Sequence, residues 1–179
     1  MYISVKIVFG LVLLVLAVFG LSACKTAKII KYEHEPSVEF YKNFDFGAGA
    51  LNAFKADDVL LVVDINKATH TSYVVWLGLY SDKAGKSINV ERVVVVGDGW
   101  EKSDNFNREL VLETHIPEHE LFEFNKGLKL FEVGEDDLKS VVNTGGELSL
   151  TVFYDVGSGT KSTNFILKKK VEKQTIFST

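Results

Sequence analysis

An apolar run near the amino terminus sets the first constraint on this chain, because such a run is either a membrane span or a cleaved signal. One cation, Lys6, precedes it, and every residue from Ile7 to Leu21 is apolar or small, about 15 residues in all. A helix of that length covers only ~23 Å, whereas the hydrocarbon core of a bilayer is ~30 Å thick. The run therefore predicts a signal peptide over residues 1–23, in a helical conformation.

The run ends in Leu21-Ser22-Ala23-Cys24, which resembles the lipobox of bacterial lipoproteins, where small residues lead directly to a cysteine. The resemblance implies that the Cys24 thiol receives a diacylglyceryl group, that the chain is cleaved before it, and that the new amino group is acylated. Several acyl chains anchor a protein stably, since each buried methylene contributes ~0.8 kcal/mol. Lys25 stands where an aspartate commonly retains Gram-negative lipoproteins in the inner membrane. The resemblance therefore implies the cell outer membrane, with the periplasmic face favoured over the cell surface.

The chain that follows the signal is of a size for one domain. Residues 24–37 are polar and charged and predict a lipidated tether, although the apolar residues within 29–32 leave room for an early strand. Residues 38–179 predict the folded domain. Cys24 is the only cysteine, so no disulfide is expected and a hydrophobic core must stabilise the domain. Residues 24–179 contain 19 basic and 24 acidic residues, since Lys6 belongs to the signal. This negative net charge argues against a nucleic-acid-binding protein, which would carry an excess of positive charge.

Short runs of β-branched and aromatic residues separated by turns predict a mostly β fold. The predicted strands are 58–66, 73–80, 87–97, 108–116, 148–154 and a last one with Phe165, Leu167 and Val171 facing the core. Residues 120–133 predict two short strands on either side of Asn125-Lys126-Gly127, with a helical turn that begins at Pro117 as the alternative. Residues 135–142 predict a short helical turn, and residues 44–58 a loop or short helix.

Residues 133–171 resemble the closing part of bacterial immunoglobulin-like domains. They contain a "DDL" turn, a "GG" pair, an alternating strand that ends near Tyr154, a glycine-bearing hairpin and a final strand. The number and even spacing of the short strands also favour a sandwich over other β architectures. Together these features predict a single immunoglobulin-like antiparallel β-sandwich, without the disulfide found in some members.

Three aromatic residues are candidates for packing or for contact with a partner. Both faces of the run 73–80 are apolar, so Trp76 is predicted to fill the core, with an exposed aromatic patch as the alternative. Trp100 follows a "GDG" segment in a predicted loop, where a tryptophan is a candidate anchor for a protein partner. Phe153 is predicted to point away from the core and is the second candidate contact.

The segment "LKKKVEK" near the carboxyl terminus carries a run of positive charge. Lys168 and Lys170 project from one face of the last strand, and Lys169 from the other. The run predicts an edge strand that its lysines protect against association with other sheets. The alternative is that Lys168 and Lys170 contact an anionic surface, such as lipid or a glycan phosphate.

Histidine and serine patterns offer little support for metal binding or catalysis. His115 and His119 are weak metal-ligand candidates, since Pro117 between them disfavours the continuous helix that would bring both side chains to one face. His34 and His70 lie in polar segments and are predicted to be exposed. No G-x-S-x-G motif or phosphate-binding loop occurs. The sequence therefore predicts no enzyme and no cofactor.

Three hypotheses about function follow from these patterns. The first is an outer-membrane-anchored lipoprotein that acts as a non-catalytic binding or assembly module in the cell envelope. It would contact the membrane through acyl chains on Cys24 and would bind a protein partner there. The second is a periplasmic lipoprotein that neutralises a toxin or hydrolase as an immunity or inhibitor protein. The third is a metal-binding protein or enzyme that uses His115 and His119.

Overall fold

The structure is a computed structural model, and it describes residues 24–67, 72–134 and 146–177. The predicted signal peptide at 1–23, His70 and the predicted helical turn at 135–142 lie outside these residues. Contacts between residues divide the chain into two compact units. The larger unit is Lys31–Lys170, and the smaller one combines Met1–Ile30 with Val171–Thr179.

Strands make up most of the described chain. The helical elements are an α-helix, α1 (Glu35–Asn43), and a 3₁₀ helix at Gly49–Phe54. The strands are β1 (Cys24–Glu33), β2 (Lys55–Ala56), β3 (Val59–Lys67), β4 (Ser72–Ser81), β5 (Ser87–Gly97), β6 (Trp100–Val111), β7 (Thr114–Ile116), β8 (Leu121–Glu123), β9 (Leu128–Gly134), β10 (Leu148–Asp155) and β11 (Thr160–Phe177).

The strands form two antiparallel sheets. Among the described residues, the first sheet has the order β1-β11-β10-β5-β6, and the second has the order β2-β3-β4-β8-β7, with β9 also paired to β4. The prediction of a mostly β, two-sheet sandwich is therefore confirmed. The immunoglobulin-like arrangement of its strands stays a prediction.

The inward faces of the two sheets form the main core. In β10 the side chains alternate strictly between buried and half-buried, as a strand with one face on a core must. Leu150 pairs with Val95 of β5 on one side and with Phe165 of β11 on the other, and all three are fully buried. In β5 a bulge at Glu91 shifts the alternation by one residue, which places both Val90 and Val93 inward.

A second cluster covers the outer face of β3 and β4. Helix α1 and the 3₁₀ helix supply Phe40 and Leu51, which pack with Leu60 and Val62 of β3 and Tyr80 of β4. The β3–β4 pair is thus buried on both faces over much of its length. This explains why both strands read as nearly continuous apolar runs instead of alternating with polar residues.

Residues 24–37, predicted to be a tether, lie in regular structure. β1 runs to Glu33, which agrees with the room that the sequence left for an early strand within 29–32, and α1 begins at Glu35. Pro36 lies in the first turn of the helix, where its missing N–H costs no hydrogen bond. Polar composition alone cannot separate such a segment from a linker, because α1 has only one side to bury.

The predicted strand 108–116 is wrong as a single element. β6 begins at Trp100, and the chain leaves the first sheet after Val111 to enter the second sheet as β7. β6 stands last in its sheet, and most of its side chains are exposed. An edge strand of that kind carries polar residues on both faces and shows no apolar period.

The last strand is not at an edge. β11 stands between β1 and β10 in the sheet order, so the prediction that its lysines guard an exposed edge is wrong. Phe165 and Leu167 face the core as predicted, whereas Val171 is 51% exposed. The alternation that predicted an inward Val171 therefore does not continue beyond Lys170.

His34 is buried, in contrast to its predicted exposure. Its Nδ1 lies 2.7 Å from Ser37 Oγ, which also accepts the backbone N–H of Val63 at 3.0 Å. The imidazole packs edge-on against Phe54 and against Phe165, with ring centroids 4.5 and 5.1 Å away. Burial lowers the pKa of His34 to about 4, so the side chain is neutral in the folded protein.

Leu150→Ala is expected to lower the free energy of unfolding by about 2–5 kcal/mol, because truncation leaves a cavity between the two sheets. Ile166→Ala, on the neighbouring strand, is the matched control, since Ile166 is 37% exposed and its loss should cost less than about 1 kcal/mol. Denaturant unfolding of both variants measures the two effects. Equal losses would mean that the inward and outward faces of β10 and β11 are wrongly assigned.

Acidification is expected to destabilise the protein before its carboxylates titrate, because the unfolded chain protonates His34 near pH 6.5 and the folded chain only near pH 4. The free energy of unfolding should fall by about 2 kcal/mol between pH 7.5 and pH 5, and His34 contributes no loss above that range. Denaturant unfolding across this range tests the effect. His34→Gln should flatten the slope. An unchanged slope in His34→Gln would contradict the assignment.

Candidate functional site

A cleft of about 240 Å³ opens on the outer face of β3 and β4, beyond the part that the helices cover. It is called the Trp76 cleft below and is lined by Tyr41, Asp64, Asn66, Trp76, Tyr80 and Lys126. Four elements contribute these residues: α1, β3, β4 and the turn between β8 and β9. Residues far apart in the sequence thus converge on one small surface.

The register of β3 against β4 places the central pair of the cleft. Asp64 and Trp76 are direct cross-strand partners, and Asn66 lies two positions further along the same face of β3. On β4, Trp76 and Tyr80 share this outer face with Gly78 between them. Trp76 is half-buried, so part of its indole ring is open to solvent.

Gly78 permits the close packing of the tyrosines at the inner end of the cleft. A methyl group at this position would lie 2.7 Å from the Tyr41 hydroxyl oxygen and 2.9 Å from the Tyr80 ring. It would also lie 2.8 Å from a methyl group of Val62. Only glycine leaves room in the middle of this strand for the side chain that descends from α1.

Burial and neighbouring carboxylates keep both tyrosines of the cleft protonated. Burial above all, then Tyr80 and Asp64, raises the pKa of Tyr41 well above its ordinary value of 10. Burial, followed by the charge of Glu123, raises the pKa of Tyr80 to about 12. The two rings meet edge to face with centroids 6.3 Å apart, and each hydroxyl group keeps its hydrogen at any physiological pH.

The polar rim of the cleft combines charges of both signs with an amide. Asn66 Nδ2 donates to Asp64 Oδ2 at 2.6 Å, which fixes the orientation of the carboxylate beside Trp76. Lys126 is brought to the rim by a turn in which it adopts a left-handed backbone conformation, with φ of 62°. A flat aromatic surface therefore borders a carboxylate, an amide and an ammonium group. Such an arrangement can pack on the apolar side of a ligand and hydrogen-bond its substituents.

The prediction that Trp76 fills the core is wrong, and the alternative of an exposed aromatic patch is nearer to the half-buried position that it has in this cleft. Both faces of β4 are apolar because helices cover one of them, and the pattern cannot show where that cover ends. Two signals could have indicated the site: the alternation Asp64-Ile65-Asn66 at the end of an apolar strand, and Gly78 inside a strand. A glycine in that position often marks the close approach of another group or a ligand.

Trp100 is the first residue of β6 rather than a loop residue, and it packs on its own hairpin. Its cross-strand partner is Gly97, and a methyl group at Gly97 would overlap the indole ring. The ring is half-buried, and its Nε1–H is buried without a hydrogen-bond acceptor among the described residues. The exposed apolar area that Trp100 offers a partner is therefore smaller than a loop tryptophan would offer.

Phe153 points away from the core, as predicted. It is half-buried on the outer face of β10, and the guanidinium of its cross-strand partner Arg92 lies 4.3 Å from the ring centroid. An exposed cation–π contact of this kind contributes about 0.5–1 kcal/mol. A partner that used Phe153 would have to displace or include Arg92.

Lys168 and Lys170 lie among acidic side chains. Lys170 Nζ is 3.0 Å from Glu33 Oε2, and Lys168 Nζ is 4.0 Å from Glu147 Oε1. A second cleft, of about 290 Å³, is lined by both lysines together with Glu33, Glu35, Val38, Glu39, Lys42 and Lys169. Contact of these lysines with an anionic surface stays a prediction, and the neighbouring carboxylates weaken it.

His115 and His119 each stack on a different aromatic ring. His115 packs on its cross-strand partner Phe122, and His119, in the turn after β7, lies parallel to Phe44 with centroids 4.1 Å apart. No cluster of three or more potential metal ligands occurs in the described ranges. The imidazoles thus contribute to packing on separate parts of the surface.

Cys24 is the first residue of β1. None of the helices in the described part of the chain has the length and apolar character needed to cross a bilayer. The apolar run from Ile7 to Leu21 lies outside that part. Attachment of lipid at Cys24 therefore depends on the sequence motif alone.

Gly97→Ala is expected to push the Trp100 ring into solvent and to shift its fluorescence emission to longer wavelength. The chain has two tryptophans, so the measurement uses a Trp76→Phe background in which only Trp100 emits. Gly49→Ala is the matched control, because a methyl group there meets no atom within 4 Å. An unshifted spectrum in Gly97→Ala would mean that Trp100 does not pack on its hairpin and is free to contact a partner.

Comparison with protein-family models, with curated proteins and with solved structures finds no match for this chain. Its function must therefore be inferred from its own residues. Two features carry that inference: the sequence around Cys24, and the Trp76 cleft on the outer face of β3 and β4.

Proposed function

We propose that this chain is a lipoprotein of the cell outer membrane, whose β domain acts as a non-catalytic binding or assembly module in the envelope. The observation that carries the proposal is the segment Leu21-Ser22-Ala23-Cys24 at the end of a short apolar run. Both the spacing from the amino terminus and the length of the run agree with a cleaved, lipid-attached signal.

The described fold is compatible with this role. Only six residues separate Cys24 from Lys31, the first residue of the larger unit. Fully extended, that segment spans at most ~25 Å. An acylated Cys24 would hold the domain within reach of groups near the membrane surface. Restriction to a surface raises the effective concentration of the domain for partners in the same layer.

The aromatic and polar groups of the Trp76 cleft support binding as the activity of the domain. Burial keeps the raised pKa values of Tyr41 and Tyr80 far above neutrality, so neither hydroxyl group is prepared to act as a base at neutral pH. Asp64 is held by Asn66 beside an aromatic ring. Oriented hydrogen-bonding groups next to an open ring are typical of a recognition surface.

Cys24→Ala is expected to abolish both incorporation of labelled palmitate and processing that is sensitive to globomycin, because the thiol is the site of lipid attachment in lipoproteins. Labelling of cells that produce the full-length chain, followed by gel analysis, measures both. Ser22→Ala is the matched control: it keeps a small residue before the cysteine and should be labelled normally. Normal processing without Cys24 would contradict the anchor.

The same system tests the predicted membrane. In a Gram-negative host, the wild-type chain should fractionate with the outer membrane, whereas Lys25→Asp should remain labelled and fractionate with the inner membrane.

Crosslinking in intact cells separates the assembly role from the inhibitor alternative. An envelope component as the captured protein supports the first, and a toxin or hydrolase supports the second.

A further inference from the structure

We propose that the Trp76 cleft binds one neutral pyranose ring of a glycan. The chemistry of such a ring has two parts. C–H groups form an apolar face that packs on an aromatic side chain, and hydroxyl groups around the rim both donate and accept hydrogen bonds. The cleft presents complementary groups for both parts.

The size of the cleft fits a single ring. Sites for drug-sized ligands usually measure about 300–1,000 Å³, and the Trp76 cleft measures about 240 Å³. Tyr41 and Tyr80 close its inner end above Gly78, while the side of Asn66 and Lys126 is exposed. A sugar within a longer chain could therefore enter while its neighbours remain in solvent.

Trp76 supplies the aromatic surface. It lies half-buried on the outer face of β4, in a strand that is hydrogen-bonded to β3 on one side and to β9 on the other. Its position is therefore fixed by the sheet rather than by a flexible loop. A rigid indole provides a large contact area with little loss of conformational entropy on binding.

Asp64 and Asn66 supply oriented hydrogen-bonding groups next to that surface. One carboxylate oxygen of Asp64 accepts from the Asn66 amide at 2.6 Å, so the direction of the carboxylate is set before a ligand arrives. Its second oxygen can accept from sugar hydroxyl groups. Hydrogen bonds to a charged acceptor contribute more than those between neutral groups, about 1.5–3 kcal/mol.

The balance of charge favours a neutral ligand over an ion. A quaternary ammonium ion, which aromatic cages also bind, would meet the positive charge of Lys126. An anion would meet the carboxylate of Asp64. A polyhydroxylated ring can accept from Lys126 and donate to Asp64 without either repulsion.

This inference rests on the proposed binding role of the domain, since it names the class of ligand, but not on acylation of Cys24. An acylated chain that binds no sugar would overturn the sugar proposal alone. A chain that binds sugar without acylation would overturn only the anchor.

The test uses the full-length chain in a polyoxyethylene detergent, which has no sugar headgroup to compete. In a Trp100→Phe background only Trp76 emits, so its fluorescence reports the cleft directly. Chitotetraose, cellotetraose and maltotetraose are titrated separately, and tetramethylammonium serves as the cationic probe. At least one oligosaccharide should produce a saturable change, with a Kd on the order of 1 mM, and the response of N-acetylated against plain glucose units distinguishes the source of the glycan.

Variants assign the response to the cleft. Asp64→Asn should weaken binding about tenfold or more, because a charged acceptor becomes a neutral amide. Trp76→Ala in the otherwise unchanged chain should lose the heat of binding in calorimetry. Phe153→Ala, a half-buried aromatic residue on the other sheet, is the matched control and should bind like the wild type. Circular dichroism checks folding, and Asp64→Asn decides alone if Trp76→Ala does not fold.

Three results would overturn the proposal. The first is no saturable response to any of the oligosaccharides up to their solubility limits. The second is a saturable response to tetramethylammonium without one to sugars, which would identify an aromatic cage for cations. The third is sugar binding that Asp64→Asn leaves unchanged, which would place the ligand elsewhere on the chain.

Discussion

Burial of the β3–β4 pair on both faces is the constraint on which the rest of the larger unit depends. The inner face packs in the main core, and the outer face packs under Phe40 of α1 and Leu51 of the 3₁₀ helix. Ser37 Oγ joins the helix to β3 by accepting the N–H of Val63. The neutral imidazole of His34 forms a hydrogen bond with the same hydroxyl group through its Nδ1. Two-sided burial of this kind stabilises more apolar area per strand than one-sided burial and holds the pair rigid. The cleft lies beyond the part of β3 and β4 that the two helices cover, and the same two strands form its base.

Most strands could be predicted from the sequence because one-sided or two-sided burial leaves a visible pattern. β3, β4, β5 and β10 all combine β-branched and aromatic residues with clear turns, and their predicted bounds are close to the observed ones. β6 could not be predicted, since a polar edge strand depends on backbone hydrogen bonds to β5 and not on its own side chains. α1 was also missed as an element: it is short, and its apolar residues face a sheet that only the tertiary fold supplies.

Less of the site than of the fold could be predicted. The outward direction of Phe153 follows from a period of two, and the sequence gives it directly. The burial of His34 does not, because its partners Phe54 and Phe165 are distant in sequence and come together only when the two sheets pack. The partial exposure of Trp76 could not be predicted either. Its strand is apolar on both faces, and the sequence does not show that the helices leave the Trp76 end of the outer face uncovered.

A single-ring sugar site is intrinsically weak, and a membrane anchor changes what that weakness means. A Kd of 1 mM corresponds to about −4 kcal/mol, which is too little for a free protein at low concentration to remain bound. Attachment to the layer that contains the glycan converts encounter into a nearly intramolecular event, with effective concentrations in the millimolar range. The cleft would then be occupied a large part of the time without any further contact. Weak, neutral recognition beside Trp76 and lipid attachment at Cys24, as proposed above, would therefore be physically matched: the anchor would supply concentration, and the cleft would supply selectivity.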